Sequence, residues 1–362
     1  MKYASLPGLN SYLAMKTMIR YFGHDFVEMP DINEEMLSWG SAQSPEYACL
    51  PFKIYLGFFR KLTEQKIDRV FIYGSRDRRA CRYLDLCNGI AQILRDHGLT
   101  KMDVHFWGGY GLWQGLVDFK KAMGNPSWLK VINGIIIHGS TLTAVDELND
   151  LANWARPRET VKGSVDVWLK KWWQIMGESL SRRKIKEALI LAKSEFALIK
   201  LDDSRPIIKV ALIGDLFKIH EPFFHFDTIR KLNKMGVEVK QSQAFSLLFF
   251  GTTNLPSRAH YRELYAAYRQ KAQKYLKSVP ASCIDISVGE TIDQLEQGAK
   301  GIVHFQSFGC MPDIMLKPIL DRVAKDFKVP IIHYLRDVHS SDGAYQTRLE
   351  AFVDLIKRKG KI

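Results

Sequence analysis

The sequence predicts an α/β protein with two parallel-sheet domains, on three observations. Short β-rich runs alternate with helix-length stretches in the first third. The same alternation restarts after residue 206, and the segment between carries helical periodicity alone.

In the first third, Phe26-Val27, Arg69-Val-Phe-Ile-Tyr73 and Asp103-Val-His-Phe-Trp107 read as buried strands, each closed by a polar or glycine signal. Helical stretches are expected between them, over 52–65 and 82–97. Across 127–201 apolar residues such as Trp168, Trp172, Ile175 and Met176 recur at helical spacing, so this part reads as a helical connector. Asp202-Asp203-Ser204-Arg205-Pro206 then breaks the pattern. Strands are expected over 207–213, 237–239, 301–305 and 330–334, with helices over 227–235, 258–277 and 347–357. The expected division is an N-terminal α/β domain over 1–126, a helical connector over 127–205 and a C-terminal α/β domain over 206–362.

At 362 residues, 46% hydrophobic and 25% charged, the chain has enough apolar material for two cores, and disorder is not the expectation. It holds no apolar run of about 18 residues, and residues 1–10 lack the form of a signal peptide, so a cytoplasmic, membrane-free protein is expected. Lys and Arg outnumber Asp and Glu by 52 − 39 = 13, a surplus that attracts nucleic acid, anionic cofactors or an acidic partner. Much of it lies over 156–200, including Lys170-Lys171 and Arg182-Arg183-Lys184, which reads as a solvated helix face.

Five cysteines, an odd number in a long chain, do not resemble a secreted disulfide framework. In a reducing compartment they remain thiols able to bind metal. Cys49-Leu50-Pro51 and Cys310-Met311-Pro312 repeat one triplet, Cys-x-Pro, once in each half. Proline favours the first turn of a helix, so each cysteine is expected at a helix start. Cys81 is expected to open a helix after the strand over 69–73. A helix N-terminus carries unpaired N–H groups and partial positive charge, which favour a thiolate and an anionic cluster. Against this, scattered cysteines without C-x-x-C spacing are by themselves more often small core residues. Cys87 and Cys283 are read that way.

The segments Pro45-Glu-Tyr-Ala-Cys49-Leu-Pro51-Phe-Lys53, Ala80-Cys81-Arg82-Tyr83, Phe308-Gly-Cys310-Met-Pro312 and Thr347-Arg-Leu-Glu-Ala-Phe352 together resemble the 2-hydroxyacyl-CoA dehydratase and benzoyl-CoA reductase-like iron-sulfur proteins. The branch is the one associated with CoA-enzyme activases and akin to the double-cubane cluster protein. The resemblance runs from Leu6 to the final helix and is weakest over 127–200. It implies two flavodoxin-like, Rossmann-like domains with a [4Fe-4S] cluster in the cleft between them, held by Cys49, Cys81 and Cys310. It also implies a dimeric ATP-hydrolysing iron-sulfur activase as electron donor, and a homo- or hetero-oligomer with a homologous subunit. Two positions depart from the family pattern: its acidic pair after the last strand reads Asp337-Val338-His339, and Gly214-Asp215 stands where Gly-Glu is commoner. A double-cubane cluster held by thiolates alone would need roughly six, more than one chain carries.

Near these ligands, Arg82 and Ser307 are candidate cofactor-binding residues, with His304 a candidate donor or a satisfied core histidine. The expected function is the iron-sulfur component of an ATP-dependent low-potential reductase or dehydratase-type system. The rival is a non-catalytic, cluster-holding partner subunit, and a third reading is a basic nucleic-acid-binding protein with structural cysteines. Gly109-Tyr-Gly111-Leu-Trp-Gln-Gly115 imitates a dinucleotide turn without the acidic residue expected about 20 positions on. His220-Glu-Pro222-Phe-Phe-His225 fails as a zinc motif because Pro222 interrupts the helix that would align its histidines.

Overall fold

The computed structural model describes residues 1–6, 9–73, 83–99, 102–107, 112–251, 258–278 and 284–359. The chain divides into two compact units. The first comprises Met1–Ala144 with Gln174–Ala188, the second Val145–Trp173 with Leu189–Ile362.

The first unit begins with β1 (Lys2–Ser5), α1 (Leu9–Tyr21), β2 (Asp25–Phe26), α2 (Glu34–Ala42), α3 (Leu50–Glu64) and β3 (Arg69–Tyr73). It continues through α4 (Tyr83–Asp96), β4 (Asp103–Trp107) and α5 (Leu112–Ala122). All pairings are parallel, in the order β2-β1-β3-β4. β1 was not expected: it is four residues long and has no turn signal before it, yet it sits inside the sheet. The sheet packs through Tyr3 and Phe71 onto Met15, Met18 and Ile19 of α1 and Phe119 of α5, all buried. Each such side chain removed from water is worth roughly 1.5–3 kcal/mol.

One helix crossing positions the Cys49 segment. A Cβ on Gly40 would lie 1.8 Å from the Lys53 carbonyl oxygen, and one on Gly57 would lie 1.9 Å from that of Met36. Lacking side chains at both points, α2 and α3 meet backbone to backbone.

Three long helices follow, α6 (Trp128–Ala155), α7 (Ser164–Glu178) and α8 (Arg182–Phe196). Each has residues in both units, so the stretch expected as a connector is shared between them. Within the second unit, Trp168 and Trp172 are buried, their indole N–H groups donating to the Ala192 carbonyl and the Glu195 carboxylate.

The second unit contains β5 (Ile208–Ile213), α9 (Leu216–His220), α10 (Thr228–Lys234), β6 (Val237–Gln241), α11 (Phe245–Gly251) and α12 (Ala259–Ala272). After these come α13 (Ile284–Glu296), β7 (Ile302–Ser307), α14 (Met311–Asp326), β8 (Ile331–Arg336) and α15 (Asp342–Lys359). Its sheet is parallel throughout, in the order β6-β5-β7-β8. Successive strand residues face opposite ways, and both faces are covered. Val210, Leu212, Val303 and Phe305 pack with Leu232 of α10 and Leu349 and Phe352 of α15. Ala211, Ile213 and Ile302 pack with Val288 of α13 and Leu316 and Leu320 of α14. The fold is therefore α/β with two four-stranded parallel sheets, consistent with two flavodoxin-like units.

Candidate functional site

In the second sheet the chain leaves β5 for β6 on one side and returns to β7 on the other. Ligands of open α/β sheets bind where the strand order reverses in this way, outside the strands' carboxyl ends. Here those ends carry Gly214-Asp215 after β5 and Ser307-Phe-Gly-Cys310 after β7.

Gly309 takes a positive φ of 73°, which lets the chain turn tightly enough for the Cys310 N–H to donate to the Ser307 carbonyl at 3.1 Å. Cys310 is the N-cap residue of α14 with extended φ and ψ, and Pro312 lies in the helix's first turn. Its thiol does not cap the helix. Instead, Lys218 Nζ on α9 lies 3.5 Å from Cys310 Sγ and pairs with the Asp313 carboxylate. Asp215 N-caps α9, accepting the Phe217 N–H at 3.1 Å, and so sets where Lys218 projects. Asp313 also accepts the Ser307 N–H at 2.9 Å, locking the turn from its other end.

Lys218 and Asp313 side chains are both 3% exposed. Burial opposes the lysine's charge, but Asp313, Cys310 and Asp215 outweigh it and hold the ammonium above the ordinary lysine range. Burial also pushes the Cys310 thiol well above its usual pKa, against the pull of Lys218. Cys310 is 6% exposed, whereas Phe308, Met311 and Ile314 around it present exposed apolar side chains. Ser307 is buried, and its hydroxyl has no partner among the described residues.

In the first unit, Cys49 is the half-buried N-cap residue of α3, with Pro51 in the first turn and extended φ and ψ. Its carbonyl accepts the Phe52 and Lys53 N–H groups at 3.0 and 3.3 Å. Lys53 is buried, and its ammonium donates to the Glu46 carbonyl at 3.0 Å, closing the loop that presents Cys49. The repeated triplet thus has one local outcome in both units: a cysteine at the start of a long helix, with a buried lysine near it.

Cys81, Arg82 and Cys283 lie outside the described residues, as do Gly109 and Gly111. Cys87 falls on α4, its side chain outside them. Among the described residues no three His, Cys, Asp or Glu side chains group as a metal-ion site. The facing ammonium of Lys218 and the helix start both favour a thiolate at Cys310, while burial works against it. His220 and His225 are engaged elsewhere. His220 bonds through its two nitrogens to the Gln243 carbonyl and the Gln241 amide, and His225 Nδ1 accepts the Thr228 N–H.

Lys218 and Asp313 were not singled out from the sequence. They lie 95 residues apart and meet only because the crossovers return β7 to the side of β5. The usable signal was Asp215, an N-cap residue directly after a strand. A comparison with protein-family models gives no match, and neither does one with curated proteins.

Proposed function

We propose that the chain is the iron-sulfur component of an ATP-dependent low-potential reductase or dehydratase-type system in the cytoplasm, with Cys49, Cys81 and Cys310 as ligands of a [4Fe-4S]-type cluster. The observation that carries this reading is the pair of Cys-x-Pro triplets, each placing its cysteine at the N-cap of a long helix. A bound cluster would supply one-electron transfer, with potentials that reach down to about −700 mV in cysteine-ligated types.

The chain's own residues have separable tasks. The N-termini of α3 and α14 offset negative charge on Cys49 and Cys310. Lys218 directs an N–H at the Cys310 sulfur, and Asp313 holds both Lys218 and the Ser307 backbone in place. The Ser307 hydroxyl and Arg82 are the remaining donors assigned to cofactor or substrate. Exposed Phe308 and Met311 exclude water once a partner or substrate covers them. Electrons are supplied by a separate dimeric iron-sulfur ATPase, since this sequence has no G-x-x-x-x-G-K-[S/T] loop of its own.

The test is anaerobic purification with iron and sulfide counting and absorption spectroscopy. Brown protein with about four irons per chain is the expected result. Colourless protein with stoichiometric zinc would overturn the reading.

A further inference from the structure

Behind the Cys310 turn, β7 and β8 place two histidines opposite each other, since His304 pairs with His333 in the parallel register. Their Nδ1 atoms are 2.9 Å apart, and His333 Nε2 lies 2.7 Å from Asp321 Oδ1 on α14. The Asp321 side chain is 43% exposed and its second oxygen accepts from Lys317 at 2.9 Å. His304 is fully buried, and its Nε2 has no hydrogen-bond partner among the described residues.

The chain of contacts fixes the tautomers. Burial tends to raise the Asp321 pKa, but bonds from Lys317 and His333 outweigh it, so the group stays a carboxylate. A carboxylate only accepts, so His333 donates its Nε2–H. Burial keeps His333 neutral despite Asp321, leaving its Nδ1 a bare acceptor. His304, held neutral by burial and by the charges near it, must then donate its Nδ1–H. Its Nε2 therefore keeps a lone pair that no donor among the described residues shares, within electrostatic reach of the Lys218 ammonium. Burying an acceptor without a donor is unfavourable, which a purely structural contact would not require.

We infer that His304, His333 and Asp321 form a proton relay between solvent and the interior of the second unit, with His304 Nε2 as its inner terminus. A proton that water at the inner end gives to Nε2 releases the Nδ1 proton of His304 to His333 Nδ1. His333 in turn gives its Nε2 proton to Asp321, which returns one proton to water. One proton enters and one leaves, no bond between heavy atoms changes, and reverse passage restores both tautomers. The relay does not depend on bound iron and stands apart from the cluster reading.

The test is ring nitrogen NMR on the full chain with labelled histidine, first unsubstituted and then as Asp321→Asn. In the unsubstituted chain near neutral pH, the ring proton is expected on Nδ1 of His304 and on Nε2 of His333. Asparagine keeps an oxygen to accept from His333 but cannot take a proton. Exchange of the His304 ring proton with water should therefore slow by at least about tenfold, below the usual contribution of a positioned acid-base group. Asp321→Glu should restore it. A His304 proton on Nε2, or equally fast exchange in D321N as structural opening would give, overturns the relay.

Discussion

Lys218 and Asp313 form an ion pair with both side chains buried, and the lysine's ammonium also reaches the Cys310 sulfur. Removing one member of such a pair strands the other's charge in a poorly solvated place. Lys218→Met should lower unfolding free energy by about 3–5 kcal/mol. Adding Asp313→Asn, which keeps an acceptor for the Ser307 N–H but removes the charge, should recover most of that loss. Urea unfolding of the single and double variants measures both.

If the three cysteines hold the cluster, alanine at Cys49, Cys81 or Cys310 should each remove most of the iron. Alanine at Cys87 or Cys283 should leave it bound. Iron and sulfide content of the five anaerobically purified variants is the measurement, and equal iron in all five would defeat the ligand assignment.

Glu290 on α13 is buried and accepts the Gln243 N–H at 2.8 Å. Burial raises its pKa from 4.5 to about 8, against the lowering effect of that hydrogen bond. Between these two values the folded chain holds a proton that the unfolded chain has released. This group's contribution to stability therefore falls as pH rises through that window, by up to about 1.4 kcal/mol per pH unit, and levels off above pH 8. Glu290→Gln keeps an acceptor for Gln243 and should flatten the curve there, as urea midpoints from pH 5 to 8 would show.

Arg182, Arg183, Lys184 and Lys186 on α8 are exposed, and a positive face of this kind steers an acidic partner. Reduction by the proposed activase should require ATP and should slow as salt rises towards 0.5 M, where exposed charges are screened within roughly 4–5 Å. Stopped-flow absorbance gives both rates. Equal rates without ATP would remove the energy coupling, and salt-independent rates would remove α8 as the docking face. Trp168 and Trp172 of the preceding helix are buried in packing and present no aromatic surface beside it.

Much of the architecture was legible because parallel sheets bury their strands on both faces and so write them as short apolar runs. β3 and β4 match the sequence reading residue for residue, and β5 differs by one. β1 was missed because the residues around Lys2–Ser5 offer no contrast of period or turn chemistry. Of the candidate site, the helix starts at Cys49 and Cys310 were readable, since proline two residues on is a local signal. Lys218 beside Cys310, and His304 beside His333, were not. Each pairing depends on strand order and register, which distant residues impose and which leave no mark near the residues themselves.

The crossing of α2 and α3 reaches beyond this molecule. A methyl group at either residue 40 or residue 57 would overlap the opposing main chain, so no repacking of neighbouring side chains could make room for it. Any protein that presents a helix-start cysteine on this pair of helices at the same separation is bound to glycine at both points. The two glycines, seventeen residues apart and flanking Cys-x-Pro, make a spacing by which distant kin could be sought where overall similarity has faded.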